Sequence, residues 1–347
     1  MSNEEVSVCV TGASGFVGSQ IVADLLEQGF RVRATVRQPS NREKYSFLFD
    51  LPGAEERLSL HPGELLEEGC FAEALEDSKY CIHTASPYVL DVDDPQKDLV
   101  DPAVQGTENV LRCAVEAGVD RVVVTSSMAA ITDEPESDQV LTEEDWNEKS
   151  SLTRNPYYFS KTEAERAAWK FAEEHGDLDL VVINPFLVIG PSITPSLNTS
   201  NEIFVDILSG EFPGIVSLTW GMVDVRDVSK AHIRAMEIDD AEGRFICVDH
   251  TVSMREMVEI LDDQGWGDEY KLPSLNMACT AGDYAVKLFS YFQPSGTGTY
   301  LRTNIGKTPR FDCSKSREVL DMSYRPARET IVETMEDLKE WGHLPNP

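Results

Sequence analysis

Residues 6–18 read VSVCVTGASGFVG, and this stretch decides the fold. Val6, Val8 and Val10 alternate with polar residues, which predicts a short buried strand. Apolar residues then recur at helical spacing as far as Gly29, a residue type that commonly ends a helix. A strand, a glycine-rich turn and a helix in this order are typical of the first unit of a dinucleotide-binding sheet.

The glycines of the turn have the spacing GxxGxxG, a variant of the GxGxxG fingerprint. Glycine allows a tight turn and a close approach of the backbone to phosphate, and the following helix N-terminus offers unpaired N–H donors to a pyrophosphate. The alternative is a glycine-rich turn without a ligand. The residues of the turn that we predict to contact a dinucleotide are Gly12, Ser14, Gly15, Phe16, Val17 and Gly18.

The second strand, residues 31–37, ends on Arg37, where an NAD-specific protein usually has Asp or Glu for the ribose hydroxyl. A guanidinium binds phosphate through two charge-assisted hydrogen bonds, so Arg37, with Lys44 nearby, predicts NADPH. The chain has a net charge of −31, which makes a basic cluster here notable. The alternative is a solvated sheet edge. The cluster comprises Arg31, Arg33, Arg37, Arg42 and Lys44.

A catalytic pattern begins at a later apolar strand. Residues 119–127 end in a run of hydroxyl side chains, and a helical stretch runs from Asn155 to about residue 174. Tyr157 and Lys161 lie four residues apart and therefore share one helix face. The YxxxK spacing is common by chance. Its combination with the glycine turn and with a strand ending in Ser127 makes the set specific.

The chain resembles an extended short-chain dehydrogenase/reductase of the NAD-dependent epimerase/dehydratase superfamily, in the group of dihydroflavonol and cinnamoyl-CoA reductases. The resemblance runs almost end to end. The motifs that carry it are TGASGFVG at 11–18, RATVR at 33–37, HTASP at 83–87, VVVTSS at 122–127, YYFSK at 157–161, NPFLVIGP at 184–191, VDVRDVSKAH at 223–232, GRFICVD at 243–249, PRFDCSKSREVL at 309–320 and YRPARETI at 324–331.

This resemblance implies an NADPH-dependent reductase that converts a ketone or aldehyde carbonyl to an alcohol, an oxidoreductase acting on CH–OH groups. Tyr157 would be the general acid, and the Lys161 ammonium would lower the pKa of that phenol toward working pH. Lys161 would also bind the nicotinamide ribose. Ser127 would hold the substrate oxygen, while Ser126 would face the cofactor.

The resemblance also implies contacts outside the fingerprint. His83, at a strand end, is interpreted as structural because Tyr157 already supplies the proton. Thr132 stands where plant dihydroflavonol reductases place Asn or Asp against the flavonoid, and NPYYFSK replaces NWYCYGK of cinnamoyl-CoA reductases, so neither plant substrate is assigned. The further residues implied to contact the cofactor are Glu64, Leu65, Thr84, Ala85, Ser86, Pro185, Val188 and Ser200.

Composition limits the other classes of function. No apolar run of membrane-spanning length and no signal-like N-terminus is present, which predicts a cytoplasmic protein. The strong acidity argues against nucleic acid and anionic membranes as partners. Seven scattered cysteines predict reduced thiols, and six histidines without ligand spacing predict no metal site. The predicted partner is therefore a small carbonyl compound.

Apolar strands alternate with helical stretches through the first half of the chain, which predicts an α/β fold with a doubly wound parallel Rossmann sheet. We assign residues 1–189 and about 221–248 to this NADP-binding domain, with residues 223–236 and 244–248 returning to it as strand, helix and edge strand. Residues 190–220 and about 249–347 would form a smaller substrate lobe. The aromatic side chains of residues 275–303 are interpreted as core of that lobe, and the alternative is a wall of the substrate site.

Three alternatives use the same fold. A 3β-hydroxysteroid-type dehydrogenase would share the chemistry. A nucleotide-sugar epimerase or dehydratase would retain its cofactor, although Met128 and Ala129 replace the Asp-Glu pair usual in dehydratases. A non-catalytic NADPH-binding protein is the third alternative, and the presence of Ser127, Tyr157 and Lys161 argues against it.

Overall fold

A parallel sheet of seven strands lies at the centre of the computed structural model, which describes residues 3–86, 92–136, 139–176 and 178–346. Helices cover both faces, as predicted for a doubly wound fold. The strands of this sheet, in their order across it, are β10 (Gly243–Cys247), β7 (Asp179–Pro185), β5 (Arg121–Thr125), β4 (Tyr80–His83), β1 (Ser7–Thr11), β2 (Arg31–Val36) and β3 (Leu58–Pro62).

Crossover helices follow most of these strands, because parallel neighbours need a connection that returns along the sheet. The helices are α1 (Phe16–Glu27), α2 (Ser46–Phe49), α3 (Ala54–Arg57), α4 (Ala72–Leu75), α5 (Asp101–Ala117), α6 (Pro156–Glu174), α7 (Glu202–Ser209), α8 (Val225–Glu237), α9 (Met254–Asp263), α10 (Trp266–Glu269), α11 (Thr280–Phe289), α12 (Ser295–Asn304), α13 (Ser314–Val319) and α14 (Ala327–Glu340). Short helical turns lie at Asn3–Glu5, Gln96–Val100, Met128–Ala130 and Ser290–Phe292.

The two faces of the sheet are buried by different sets of helices. On one face Val8 and Val10 pack in a core with the apolar side of α1 and with Ala231 and Ala235 of α8. On the other face Cys9 packs in a second core with residues of α4, α5 and α6. Because successive strand residues point to opposite faces, the V-S-V-C-V pattern of β1 fills both cores at once.

A separate apolar core lies among the later elements and includes Phe204, Trp220 and Met257. Strand β9 (Thr219–Asp224) belongs here, between β8 (Leu187–Ile189) and β11 (His250–Ser253). This strand leads into α8, but its hydrogen bonds are made in the small sheet and not in the central one. Strands β6 (Val140–Leu141) and β12 (Arg310–Phe311) pair separately. The division into domains stays a prediction that these separate cores support.

Four of the five aromatic residues between positions 275 and 303 differ from the expectation of a lobe core, whereas Tyr300 packs against the smaller core. Tyr284, Phe289, Tyr291 and Phe292 are 60–81% exposed. Val286, by contrast, is buried. The outward face of α11 is therefore apolar, with Tyr284, Leu288 and Phe289 exposed, and composition alone did not show which side of the helix these residues take.

The carboxyl ends of the central strands all open on one edge of the sheet, and the glycine turn, the serine pair and residues 84–86 lie there. In α/β sheets this edge is where ligands bind. Of the helices in the described parts of the chain, none combines the length and the apolar character needed to span a membrane.

Candidate functional site

The glycine turn is packed too tightly for any side chain at two of its positions. Gly12 has φ +66, and a Cβ there would lie 2.9 Å from the backbone N and Cα of Ala85. A Cβ on Gly18 would lie 2.3 Å from the carbonyl oxygen of Gly12. Glycine is thus required where the turn crosses the next strand end and where α1 packs on the turn.

The N-terminus of α1 is open toward this turn. Gly15 is the residue before the helix, and in the described structure no side chain caps it. The first helical hydrogen bond runs from the Ser19 N–H to the Gly15 carbonyl, which leaves the preceding N–H groups without a helical acceptor. No acidic residue lies in the first turn. The start of α1 is therefore suited to bind an anion such as a pyrophosphate, because it offers N–H donors and carries no negative side chain.

Residues at the end of β4 are hydrogen bonded to the same turn. The Thr84 hydroxyl donates to the Thr11 carbonyl at 2.7 Å, and the Ala85 N–H donates to the Thr11 hydroxyl at 3.2 Å. The Thr11 hydroxyl also meets His83 Nδ1 at 2.7 Å. Burial, together with the Lys161 charge, lowers the pKa of His83 to about 3, so the ring stays neutral at working pH. This geometry agrees with a structural role for His83.

The basic cluster divides into two groups. Arg31 donates to the Glu4 carbonyl, and Arg33 donates to the carbonyls of Ala74 and Glu73, so both guanidinium groups serve the fold. The remaining three cations are exposed. The turn lies against this strand end, because Ala13 N–H donates to the Thr35 carbonyl at 3.3 Å. Arg37 follows two residues later, and the others are Arg42, whose guanidinium carbon lies 4.0 Å from the Phe49 ring centroid, and Lys44.

The loop after β3 carries Glu64 and Leu65. It is hydrogen bonded to Asn109 of α5, a residue that the sequence reasoning missed. The buried Asn109 amide group of α5 donates to the carbonyls of Leu65 and Glu67 and accepts from the Gly69 N–H. An asparagine in the middle of an apolar helix face was the available signal. Its three backbone hydrogen bonds fix the loop beside β2.

Helix α6 brings Tyr157 and Lys161 to the same side, as their spacing predicts. The Lys161 Nζ lies 5.9 Å from the Tyr157 ring centroid and donates to the Ser86 hydroxyl at 3.0 Å. Lys161 is buried, and this burial lowers its pKa to about 8 despite the opposing charge of Glu165. The predicted catalytic lysine is therefore attached to the segment that also contacts the glycine turn.

The two serines at the end of β5 point to different partners. The half-buried Ser127 hydroxyl accepts a 3.1 Å hydrogen bond from the Ala129 N–H, at the start of a short helical turn. The buried Ser126 hydroxyl donates to the Glu165 carboxylate instead. Adjacent residues of an extended chain point in opposite directions. The Ser126 hydroxyl is therefore directed into the protein, and its expected contact with the cofactor stays a prediction.

Glu165 was also missed by the sequence reasoning. Its side chain is 0% exposed, and besides Ser126 it accepts from Asn184 at 2.8 Å and from Arg244 at 2.5 Å. It therefore joins α6 to the ends of β5 and β7 and to the start of β10. The available signal was spacing, because Tyr157, Lys161 and Glu165 follow one another every four residues along one helix face.

The other predicted residues lie on elements around this edge of the sheet. Pro185 ends β7, Val188 lies in β8 and is buried, and Ser200 lies in the turn before α7. Thr132 follows the helical turn after Ser127, and its N–H donates to the Met128 carbonyl at 3.0 Å. The contacts of these four residues with a ligand stay predictions.

Comparison with known proteins shows which family and which curated proteins this chain is similar to. The sequence signature of the NAD dependent epimerase/dehydratase family matches residues 8–247. Among curated proteins, cinnamoyl-CoA reductase CAD2 of Medicago truncatula is 39% identical over 342 residues, covering 96% of this chain and 95% of the relative. The bifunctional dihydroflavonol 4-reductase/flavanone 4-reductase of Malus domestica is 37% identical over 281 residues, covering 79% and 80% of the two chains.

A solved structure agrees with these relatives. Gre2 from Candida albicans, crystallised in complex with NADPH, superposes with a TM-score of 0.80 at 32% identity. The match covers 97% of this chain and 99% of that protein. The similarity therefore includes the later, smaller core as well as the central sheet.

Removing the Glu165 carboxylate should destabilise the protein strongly. Glu165→Ala would leave Arg244, which is 7% exposed, as an unpaired buried cation, and we expect the free energy of unfolding to fall by about 3–5 kcal/mol. Urea denaturation followed by circular dichroism measures this change. Glu174→Ala on the same helix removes only a surface pair with Lys170 and should cost less than about 1 kcal/mol. Equal losses in the two variants would contradict this account of Glu165.

Proposed function

The chain belongs to the NAD dependent epimerase/dehydratase family and is an NADPH-dependent reductase, and we propose that Ser127, Tyr157 and Lys161 reduce a ketone or aldehyde substrate to the alcohol. One observation carries the assignment of these residues. The Lys161–Ser86 hydrogen bond links the catalytic helix to residues 84–86, and the same segment is hydrogen bonded to the glycine turn. The cofactor turn and the proposed proton donor therefore lie at one edge of the sheet.

The residues present fit the cofactor. The open N-terminus of α1 suits the pyrophosphate, and the close packing at Gly12 and Gly18 holds the turn in place beside it. Arg37 and Lys44 would hold the 2′-phosphate that distinguishes NADPH from NADH. Leu65, positioned by Asn109, would contact the adenine end of the cofactor. When bound, NADPH supplies the hydride for the reduction.

Side chains of the protein would supply the proton that the substrate oxygen gains. The substrate carbonyl oxygen would accept hydrogen bonds from the hydroxyls of Ser127 and Tyr157, so that negative charge developing on it is stabilised. Tyr157 would then donate its proton as general acid. The Lys161 ammonium next to the ring stabilises the phenolate that remains. Each role depends on the serine and the tyrosine facing one oxygen from two elements, β5 and α6.

The geometry favours reduction over the dehydratase chemistry found elsewhere on this fold. The residues after Ser127 are Met128 and Ala129, both buried in the short helical turn, so neither offers an acid or base to a sugar substrate. An epimerase keeps its dinucleotide through every cycle, whereas a reductase must exchange it. Protein purified without a retained dinucleotide would support the reductase.

Loss of the Tyr157 hydroxyl should abolish most of the turnover without loss of cofactor binding. Tyr157→Phe keeps the ring but removes the proposed proton donor, so we expect kcat to fall by about a hundredfold or more. NADPH consumption measures kcat, and quenching of protein fluorescence measures NADPH affinity. Tyr284→Phe makes the same chemical change on a side chain that is 73% exposed, and it should leave both quantities unchanged. Near-normal turnover in Tyr157→Phe would remove this residue from its role.

Reversal of charge at Arg37 should change the preference between the two cofactors. Arg37→Glu replaces a phosphate ligand by a carboxylate that repels phosphate, so the ratio of kcat/KM for NADPH over NADH should fall by about tenfold to a hundredfold. Arg328→Glu alters the net charge equally at an exposed ion pair with Asp263 and serves as the control. A ratio that moves equally in both variants would mean that Arg37 does not select the cofactor.

The pH dependence of turnover should show the titration of Lys161. Its ammonium is present below a pKa of about 8 and is lost as pH rises through that value, so kcat/KM for the carbonyl should fall on the alkaline side. The groups facing it are Tyr157, Glu165 and His83, and His83 stays neutral there because its pKa is about 3. Lys161→Arg should move this fall to higher pH, since a guanidinium keeps its charge. An unmoved alkaline fall would assign it to another group.

A further inference from the structure

Four charged side chains of alternating sign form a continuous series, here termed the ion-pair chain, next to the proposed catalytic residues. Arg154 contacts both carboxylate oxygens of Asp133, at 2.9 and 3.1 Å. The same guanidinium reaches Glu134 at 2.7 Å, and Lys307 Nζ reaches the other oxygen of Glu134 at 3.0 Å. The order is therefore Asp133, Arg154, Glu134 and Lys307.

Burial makes this series more than a surface feature. The Asp133 side chain is 0% exposed, whereas those of Arg154, Glu134 and Lys307 are 35%, 29% and 24% exposed. Burial raises the pKa of Glu134, but hydrogen bonds from Arg154 and Lys307 outweigh it and leave that pKa below its usual value. Glu134 is therefore ionised at working pH, and both cations stay attached to it.

The members of the ion-pair chain come from three segments that meet at the site. Asp133 and Glu134 lie six and seven residues after Ser127. Arg154 lies three residues before Tyr157. Lys307 lies beyond the end of α12, in a segment whose neighbours belong to the smaller core. The ion-pair chain thus connects the segment after Ser127 and the segment before Tyr157 to the end of α12.

Other contacts place α12 beside the catalytic tyrosine. The Tyr300 ring of α12 lies 6.4 Å from the Tyr158 ring, which in turn lies 6.0 Å from the Tyr157 ring. At the end of α12 the Asn304 amide reaches the Asp133 carbonyl at 3.5 Å. A movement of this helix would therefore change the space next to Tyr157.

A buried asparagine at the start of the catalytic helix supports the same conclusion. Asn155, directly after Arg154, is buried and has φ +48, a left-handed conformation that asparagine tolerates better than most residues. Its side-chain amide points to Thr303 of α12, at 3.5 Å. The first residues of α6 and the end of α12 are thus held against each other.

We propose that the ion-pair chain positions α12 over the catalytic serine and tyrosine and thereby sets the affinity for the carbonyl substrate, with Lys307 as the positioning residue at its outer end. The inference rests on the proposed function, because it takes the space beside Tyr157 as the substrate site. The Lys307 ammonium is paired with Glu134. It acts through Glu134 and Arg154, so its loss should change substrate affinity and leave cofactor affinity unchanged.

The test uses three variants of the full-length protein, Lys307→Met, Glu134→Gln and the double variant, each with NADPH and 4-nitrobenzaldehyde as the carbonyl probe. In Lys307→Met we expect KM for the aldehyde to rise about fivefold, with kcat and NADPH affinity within twofold of the parent, because one partly buried pair is lost. The double variant should be no worse than Glu134→Gln, since both changes break the same link. Lys170→Met, which removes an exposed pair with Glu174, is the matched control.

A second measurement does not depend on turnover. Hydrogen exchange followed by mass spectrometry should show faster exchange in residues 295–304 of Lys307→Met than of Lys170→Met, with equal urea midpoints for the two variants. Unchanged exchange in this segment together with an unchanged KM would overturn the proposal, and so would additive effects in the double variant. Failure of the proposed function is separate: full activity of Tyr157→Phe would refute it whatever the exchange in α12 shows.

Discussion

The hydrogen bond between Lys161 and Ser86 is the contact on which the arrangement of the site depends. A buried ammonium is costly unless it is paired or hydrogen bonded, and here the Ser86 hydroxyl accepts from it while the nearby Glu165 charge opposes the loss of its proton. Ser86 in turn follows Thr84 and Ala85, which are both hydrogen bonded to Thr11. A side chain of α6 is thus fixed relative to the glycine turn although about 150 residues separate them along the chain.

Much of this arrangement could be predicted from local patterns. The alternation in β1, the glycine spacing and the helical period of α1 define one supersecondary unit, because each is a short-range property of the backbone. The YxxxK spacing places two side chains on one helix face for the same reason. These predictions needed no knowledge of what packs against the elements.

The features that were missed all depend on long-range packing. Glu165 is an ordinary acidic helix residue by sequence, and only the approach of Arg244 from β10 and of Ser126 after β5 makes it a buried, paired carboxylate. Ser126 and Ser127 are chemically identical, so their opposite directions follow from the strand end and not from composition. Strand β9 has the apolar pattern of a central strand, yet its partners belong to the smaller sheet.

The net charge of −31 sets a further constraint, because the cofactor is itself an anion. At a distance the protein repels NADPH, and this repulsion is screened beyond a Debye length of about 8 Å at physiological salt. Affinity must therefore come from groups in direct contact with phosphate, which screening weakens far less. That requirement is consistent with the proposed phosphate ligands, which are the backbone N–H groups at the start of α1 and the cations of Arg37 and Lys44. The general acidity can then serve solubility without opposing the site, since the two act over different distances.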